Sequence, residues 1–508
     1  MIPEWVTEEF QTLDLGDARR DKRLMSLLAD LAPQPTVSLP AAVGGGRAET
    51  EAVYRFFEND HFDFTDILTP HCDATLERVR QHKVVVLAQD TSEIDLTRPK
   101  QQVEGTGPLD GGTRRGCLLH AMHAFTDSGV SLGTARAETW ARADQSPSAK
   151  TKVDRDKQRK KTPIEDKESQ RWVEGMYLAH RIAAQVPDTQ VILVSDSEAD
   201  IFELLVAGQF PDSQNEPPTA ETGASTAHAE WIVRGCQNRA VLPDEPSPET
   251  PVAEDDETNE CLKTVLAKVA AAPVIKSYEV QVRGRDPKVS CETRGRRQAR
   301  ESRTANVEVR ACAMTFRPPY RPGHKLPAVT LNAVLVREVD APEGDEPIEW
   351  LLLTSLPIDT PEQALRVITT YALRWQIEIF FRVLKQGCRL ESRRFETLEN
   401  VWRYMAVALV ISWRTMFVMR MGREFPDLSC EAVFEMSEWK SVYNITQKQT
   451  PPETPPTLRE MVRMVGQLGG FVNRDIGAMP GVETIWKGLQ RMHDMALCWD
   501  AFGPSNDG

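Results

Sequence analysis

The sequence shows no sign of stabilisation by disulfides or zinc. Its nine cysteines are an odd number, and no two of them form a CxxC pair. Neither a disulfide framework nor a structural zinc site is therefore indicated. The first residues, Met1 to Trp5, also lack the basic and then apolar pattern of a signal peptide. We therefore expect a cytoplasmic protein.

Long apolar runs and internal repeats are absent as well. The most apolar stretch, Tyr404 to Trp413, has only ten residues and lies between Arg403 and Arg414. A helix that crosses a bilayer needs about 20 predominantly apolar residues. The stretch therefore predicts a buried helix, and we expect no membrane partner.

The overall composition is that of a globular protein, with 41% hydrophobic and 27% charged residues among 508. A chain of this length predicts two to four domains. The net charge of −14 argues against a nucleic-acid partner, but the charge is segregated: residues 241–260 hold eight acids and no Lys or Arg. Basic residues outnumber acids by nine to four in 281–310 and by seven to two in 150–161. A local basic surface can neutralise phosphates despite an acidic sum, although each run alone could equally be a solvated loop.

The order of predicted elements indicates an α/β protein with helical ends. Residues 1 to about 70 lack strand-like alternation and are predicted to be helical. The β-branched, apolar runs Lys83–Ala88 and Val191–Val194 are typical of strands buried on both faces. Helical patterns precede and follow the second run, which favours an α/β core.

Further along the chain, two low-complexity stretches at 208–229 and 241–260 are predicted to be flexible insertions. Residues 277–337 alternate as strands do, with the basic cluster in their middle, and predict a β-rich insertion. Nearly everything from Pro361 onward predicts helix.

Each apolar strand is followed by an acid: Asp90 after the first and Asp196 after the second. Ligand sites in α/β folds favour the carboxyl ends of strands. Each aspartate alone could instead be a turn residue or the N-cap of the next helix.

One predicted helix, from Pro361 to about Arg389, carries a third acid. At 100° per residue, one face holds a single acid, three cations and a phenol, namely Tyr371, Arg374, Glu378, Arg382 and Lys385. The opposite face holds Leu373, Ile377, Phe380 and Leu384. A solvated face would mix several acids with bases, so a lone glutamate among cations favours a metal ligand surrounded by phosphate-binding groups.

Three carboxylates suit metal-dependent cleavage of a phosphodiester. Two metal ions roughly 4 Å apart can stabilise both the attacking and the departing oxygen. Mg²⁺ and Mn²⁺ prefer carboxylate oxygens as ligands. Asp90, Asp196 and Glu378 are therefore the candidate metal ligands and catalytic residues, and DNA is the expected substrate.

The spacing of Tyr371, Arg374, Glu378 and Lys385 (Tyr-x2-Arg-x3-Glu-x6-Lys) resembles the signature of the DDE transposases of bacterial insertion sequences. The resemblance is to the insertion-sequence-four type, in particular the cut-and-paste branch that includes the Tn-five transposase.

Further motifs in the same order extend the resemblance over nearly the whole chain. Asp90-Thr-Ser resembles the first acidic motif of the family, and Asp196-Ser-Glu-Ala-Asp-Ile the second. Trp231-Ile-Val-Arg234 resembles the strand that follows. The basic run Arg294–Arg300 resembles the family's basic β-insertion.

The resemblance implies an RNase H-like catalytic core with a β-rich insertion, flanked by helical domains. On this basis residues 1–72 are the helical N-terminal DNA-binding domain. Residues 73–400 are the catalytic domain, with the β-rich insertion at about 240–345, and 401–508 are the helical C-terminal dimerisation domain.

The resemblance also implies the activity and its partners. Two Mg²⁺ ions, for which Mn²⁺ can substitute, are the expected cofactors. The enzyme would cleave the ends of a transposon through a DNA hairpin and join the 3′ ends to target DNA. Its partners would be double-stranded DNA, as terminal inverted repeats and as target, and a second copy of the chain in a synaptic homodimer. The location would be cytoplasmic and associated with the bacterial nucleoid.

Specific DNA contacts follow from the same resemblance. Tyr371, Arg374 and Lys385 would contact phosphates near a flipped base, and Trp350 would stack on that base, although a tryptophan in a strand can also be part of the core. The remaining expected DNA contacts are Arg382, Arg234, Arg294, Arg296, Arg297 and Arg300.

Two alternatives remain open at this point. A related metal-dependent nuclease, such as a junction resolvase, would share the core without strand transfer; the long β-insertion and the C-terminal helices argue against so small an enzyme. A non-catalytic DNA-binding or inhibitory protein derived from a transposase would have lost an acid or the N-terminal motif. All three acids are present, and so is Tyr54-Arg-Phe, which resembles the N-terminal part of the family.

Overall fold

A computed structural model of the chain describes residues 2–98, 100–110, 113–144, 162–211, 227–243, 263–282, 284, 301–321, 325–343, 345, 347–472 and 477–503. Several predictions fall on residues outside these ranges. They concern the basic residues Arg294, Arg296, Arg297 and Arg300, most of the stretch 208–229, nearly all of the acidic stretch 241–260, and the basic run 150–161.

Helices occupy both ends of the described chain. They are α1 Glu4–Glu9, α2 Ala18–Leu31, α3 Leu39–Ala42, α4 Arg47–Phe57, α5 Phe64–Val79, α6 Gln170–Gln185, α7 Phe202–Gln209, α8 Val265–Ala271, α9 Pro361–Ala372, α10 Trp375–Arg382, α11 Leu398–Glu424, α12 Met436–Gln447, α13 Leu458–Leu468 and α14 Val482–Phe502.

Strands occupy the middle of the chain. They are β1 Val84–Asp95, β2 Gly107–Pro108, β3 Arg115–Thr126, β4 Ser131–Trp140, β5 Gln190–Ser195, β6 Glu230–Gly235, β7 Val274–Val282, β8 Arg303–Phe316, β9 Val329–Val339 and β10 Glu349–Thr354. The mixed α/β composition and the helical ends confirm the predicted fold class at this level.

The chain forms two compact units. The first unit comprises residues 1–82, 91–144 and 375–508, and the second comprises 83–90 and 145–374. Strand β1 contributes its first half to the second unit and its second half to the first. The predicted division into three consecutive domains stays a prediction.

In the second unit, a mixed sheet carries the two predicted strands. β1 pairs with β5 and β5 pairs with β6, both in parallel. β10 then pairs antiparallel with β6 and with β9. β9 continues antiparallel to β8, and β8 to β7. The described parts of residues 277–337 thus contain strands, as their alternation predicted.

In the first unit, helices surround the long helix α11. This helix packs against α5, β4 and α13. It is long and apolar enough to cross a membrane by length and composition, yet 78% of its most apolar window is buried inside the protein. Every residue from Tyr404 to Trp413 is buried, so the predicted buried helix is confirmed.

The prediction of one continuous helix from Pro361 to about Arg389 is wrong. α9 begins as the sequence suggests, with Pro361 at its first turn and a capping box between Thr360 and Gln363. It ends at Ala372, and α10 begins at Trp375 after a turn. Beyond Arg382 the chain widens into a π turn, in which the Cys388 amide donates to the Val383 carbonyl at 2.8 Å. Such turns often accompany functional positions.

Candidate active site

Asp90 and Asp196 take equivalent positions on adjacent parallel strands. Asp196 directly follows β5, but Asp90 lies inside β1, which continues to Asp95, so the expectation that each strand ends at its acid holds only for Asp196. Gln89 of β1 is the register partner of Ser195 of β5, and Ser195 is the partner of Val233 of β6. One residue further along each strand come Asp90, Asp196 and Arg234. The register therefore places two carboxylates and a guanidinium in one row across three neighbouring strands.

These three side chains belong to the face of the sheet opposite α6. Gln89 donates to the carbonyl of Trp172 in α6 at 3.4 Å and to Ser195 Oγ at 2.9 Å. Because successive side chains of a strand point to opposite faces, Asp90 points away from α6. The helix α9 packs against β9 and β10 in the same unit, and the turn that ends it brings Arg374 to Asp90.

Arg374 forms an ion pair with Asp90. Its Nη1 lies 3.4 Å from Asp90 Oδ2, and the two side chains are only 7% and 14% exposed. Arg374 stands in the turn after α9, where its amide donates to the Tyr371 carbonyl at 3.0 Å. A guanidinium in a site of low exposure can neutralise a carboxylate strongly.

Asp196 also has the structural role that its position suggested. Its Oδ1 accepts a hydrogen bond from the Glu198 amide at 2.8 Å and so caps the short 3₁₀ turn Ser197–Ala199. The cap fixes the rotation of the carboxylate at the end of β5. A capping role and a ligand role are compatible, since a carboxylate has two oxygens.

Tyr371 and Trp350 form an aromatic pair beside this row. Their ring centroids are 5.8 Å apart at an interplanar angle of 73°, an edge-to-face arrangement. Tyr371 is buried, and burial raises the pKa of its phenol, against which the nearby charges of Arg374 and Arg234 act. Trp350 lies in β10 and is partly exposed. Tyr371 and Arg374 are thus both buried, although the helical period places them on the face opposite the apolar side.

The remaining members of the predicted helix face lie in the first unit. Glu378 in α10 is partly exposed, and Arg382 at the end of α10 is exposed. Lys385 lies in the π turn, with Nζ 4.0 Å from Glu391 Oε1. Burial lowers the pKa of Lys385, while the charges of Glu391, Glu93 and Asp95 oppose that effect. The apolar side is largely as predicted, because Ile377, Phe380 and Leu384 are buried.

Two acids near these residues were not singled out from the sequence. Glu391 accepts a hydrogen bond from the Asp95 amide at 3.0 Å and faces Lys385. Asp200 is buried four residues after Asp196 and pairs with Arg239. The signal for Asp200 was an acid inside the apolar run Ala199–Phe202, since buried acids in proteins are almost always paired.

The donor chemistry suits a hard divalent cation. Asp90 and Asp196 offer only carboxylate oxygens, the ligands that Mg²⁺ and Mn²⁺ prefer. Within the described residues of either unit, no three His, Cys, Asp or Glu side chains are grouped closely enough to hold a metal ion. Asp90 and Asp196 would thus offer two carboxylate groups to such an ion.

Models of three transposase families match the chain. The Transposase DDE domain matches residues 123–413, more than half of the chain. The Transposase DNA-binding model matches residues 2–62, and the Transposase Tn5 dimerisation domain matches residues 410–498. The chain therefore belongs to the transposase DDE domain family, and the resemblance to Tn5-like DDE transposases is confirmed.

Among solved structures, the chain is similar to the piggyBac transposase in a cryo-EM structure of its synaptic complex with hairpin DNA. The two share 10% sequence identity with a TM-score of 0.31. The match covers 82% of this chain and 64% of the piggyBac chain, so this chain spans less than two thirds of that relative.

Proposed function

We propose that this protein is a metal-dependent DNA transposase that binds the ends of a mobile element, cleaves them through a DNA hairpin, and joins the 3′ ends to target DNA. The observation that carries the proposal is the row of Asp90, Asp196 and Arg234 across three neighbouring strands. It lies beside the Arg374–Asp90 ion pair. Membership of the transposase DDE domain family supports the same activity.

Asp90, Asp196 and Glu378 are the three acids that we assign to metal binding, with two Mg²⁺ ions as the expected cofactors and Mn²⁺ as a substitute. When bound, such ions stabilise the attacking and the leaving oxygen of a phosphodiester. The Asp196 cap to Glu198 and the Arg374 contact to Asp90 hold the two aspartates of the second unit in fixed orientations.

Cations near these acids bind the DNA backbone in this proposal. Arg374 has the planar geometry for a bidentate phosphate contact, and Lys385 provides a point charge. The Tyr371 hydroxyl donates a hydrogen bond to a phosphate, and Trp350 stacks on an extruded base. The further DNA contacts that we propose are Arg234, Arg382, Arg294, Arg296, Arg297 and Arg300.

The architecture that we propose around this site is an RNase H-like core. In support, β1 pairs in parallel with β5, β5 pairs in parallel with β6, and β3 pairs antiparallel with β4. The N-terminal helices would bind the transposon ends, in line with the family match at 2–62. The C-terminal helices would form the homodimer, in line with the match at 410–498. The setting would be the cytoplasm and its nucleoid.

The test is an assay of purified full-length protein with Mg²⁺ and a DNA that carries the element's ends. The proposal predicts cleavage at the ends and joining to a target plasmid, both abolished by chelation with EDTA. Cleavage without joining would favour the nuclease without strand transfer. Binding without cleavage, in Mg²⁺ and in Mn²⁺, would favour the non-catalytic DNA-binding protein.

A further inference from the structure

A buried charged pair lies next to the Asp196 turn and has no assigned role. Asp200 is fully shielded from solvent, and the Arg239 side chain is only 11% exposed. Arg239 donates to Asp200 Oδ1 through Nη2 at 2.6 Å and through Nε at 3.1 Å. Its Nη2 also lies 2.6 Å from the Asp200 carbonyl. Two N–H groups of one guanidinium thus converge on a single carboxylate oxygen, and such charge-assisted hydrogen bonds are stronger than neutral ones.

The second carboxylate oxygen of Asp200 also accepts two hydrogen bonds. Asp200 Oδ2 accepts hydrogen bonds from the amides of Cys236 and Gln237, each at 2.8 Å. The Gln237 side chain donates to the Asp200 carbonyl at 3.2 Å. One carboxylate thus binds the loop that directly follows β6, the strand that ends next to Asp196 in the sheet.

Asp200 and Asp196 are the two ends of one short turn. The Ala199 amide donates to the Asp196 carbonyl at 3.2 Å, and the Asp200 amide donates to the Ser197 carbonyl at 3.3 Å. Asp196 itself caps the turn through the Glu198 amide. Because the turn is this tight, fixing its last residue also fixes the position of its first.

We propose that Asp200 and Arg239 are positioning residues that hold the Asp196 carboxylate in its place at the end of β5. The inference rests on the proposed function, since Asp196 matters for cleavage only if the chain is a transposase. Residues 236–239 donate six hydrogen bonds to the Asp200 carboxylate and the Asp200 backbone carbonyl, which is more than a solvated turn needs. A displacement of about 1 Å in a catalytic group can lower the rate on the order of 100-fold.

The chain offers a matched control for the loss of an arginine–carboxylate pair. Arg321 donates to Glu203 in α7 at 2.7 Å, only three residues beyond Asp200. Arg321 and Glu203 form this pair with each other outside the turn 196–200. Arg321→Gln therefore removes a similar ion pair from the same segment without affecting the Asp200 contacts.

The experiment compares full-length Arg239→Gln, Asp200→Asn, Arg239→Lys and Arg321→Gln with the parent. Amide hydrogen exchange of residues 197–200 is measured first, because it does not depend on activity. We expect faster exchange in Arg239→Gln and Asp200→Asn, a smaller increase in Arg239→Lys, and none in Arg321→Gln. Equal exchange in all variants would overturn the inference.

The second measurement is cleavage of the element's ends at saturating DNA and Mg²⁺, with end affinity measured separately. We expect Arg239→Gln to lower the cleavage rate about 100-fold with end affinity changed less than about 2-fold. Arg239→Lys should recover part of the rate. An unchanged rate in Arg239→Gln, or an equal loss in Arg321→Gln, would also overturn the inference. A parent that never cleaves would instead refute the proposed function, and the exchange result would still decide whether the pair holds the turn.

Discussion

The Arg374 guanidinium lies 3.4 Å from the Asp90 carboxylate, and solvent reaches little of either side chain. The acid at the end of a predicted strand and the cation at the end of a predicted helix therefore neutralise each other within one unit. Removal of an arginine that balances a buried carboxylate should therefore lower the stability of the protein.

We predict that Arg374→Gln lowers the free energy of unfolding by about 2 kcal/mol, because the Asp90 carboxylate loses a charged partner at low exposure. Urea denaturation at pH 7 measures this loss. Arg374→Lys is the conservative control and should lose less, since it keeps the charge but not the planar fork. Equal stability of Arg374→Gln and the parent would show that the ion pair does not contribute.

We also predict a coupling between Trp350 and Tyr371. Their edge-to-face contact at 5.8 Å should contribute about 1 kcal/mol beyond the area that each buries. A double-mutant cycle with Trp350→Ala and Tyr371→Leu, followed by urea denaturation, measures that coupling. Additive effects, within about 0.3 kcal/mol, would mean that the rings are neighbours without a specific interaction.

The strands of the site were predictable from the sequence because burial on both faces leaves a plain signal. Val84–Ala88 and Val191–Val194 are apolar without alternation, and both lie in strands of the second unit. The acids that follow them could be located by counting residues. The sequence could not show that Asp90 and Asp196 lie in one row across the sheet, because strand pairing and register are set by contacts between distant segments.

The helix around Glu378 shows the limit of periodicity. A 100° step assumes an unbroken helix, and the turn at 373–374 and the π turn at 383–387 both break that assumption. Periodicity also cannot show that Tyr371 meets Trp350 or that Arg374 meets Asp90, since both contacts join segments far apart in the chain. The prediction of the apolar side was nevertheless correct for Ile377 and Phe380, because their burial needs only local helical geometry.

A pH-dependent contribution to stability is predicted for His123. This side chain is fully buried, with Nε2 2.7 Å from Ser131 Oγ, and burial holds its pKa well below the ordinary 6.5. Below about pH 6.5 His123 is protonated in the unfolded chain but stays neutral in the folded chain. The contribution of His123 to the free energy of unfolding therefore falls as pH falls. The difference in unfolding free energy between the parent and His123→Gln should shrink from pH 7 to pH 5, by up to about 1.4 kcal/mol per pH unit.

The contribution of Glu438 to stability should change with pH in the opposite direction. Burial, with the nearby charge of Glu435, raises the pKa of its carboxyl to about 7. The folded chain then binds a proton that the unfolded chain releases, so the contribution of Glu438 to stability grows as pH falls from 7 towards 4.5. Urea denaturation of Glu438→Gln at pH 5 and pH 7, beside the parent, measures it. A difference between the two proteins that does not change with pH would contradict the raised pKa.

The most direct test of the proposed transposase compares the parent with Glu378→Ala in cleavage of the element's ends in Mg²⁺, with binding to the same ends measured separately. Glu362→Ala, which removes an exposed acid from the first turn of α9, is the control. If Glu378 is a metal ligand, Glu378→Ala loses cleavage by about 1,000-fold or more and still binds the ends, while the control matches the parent. If Glu378→Ala cleaves as well as the parent, the assignment of the three acids to metal-dependent cleavage is wrong.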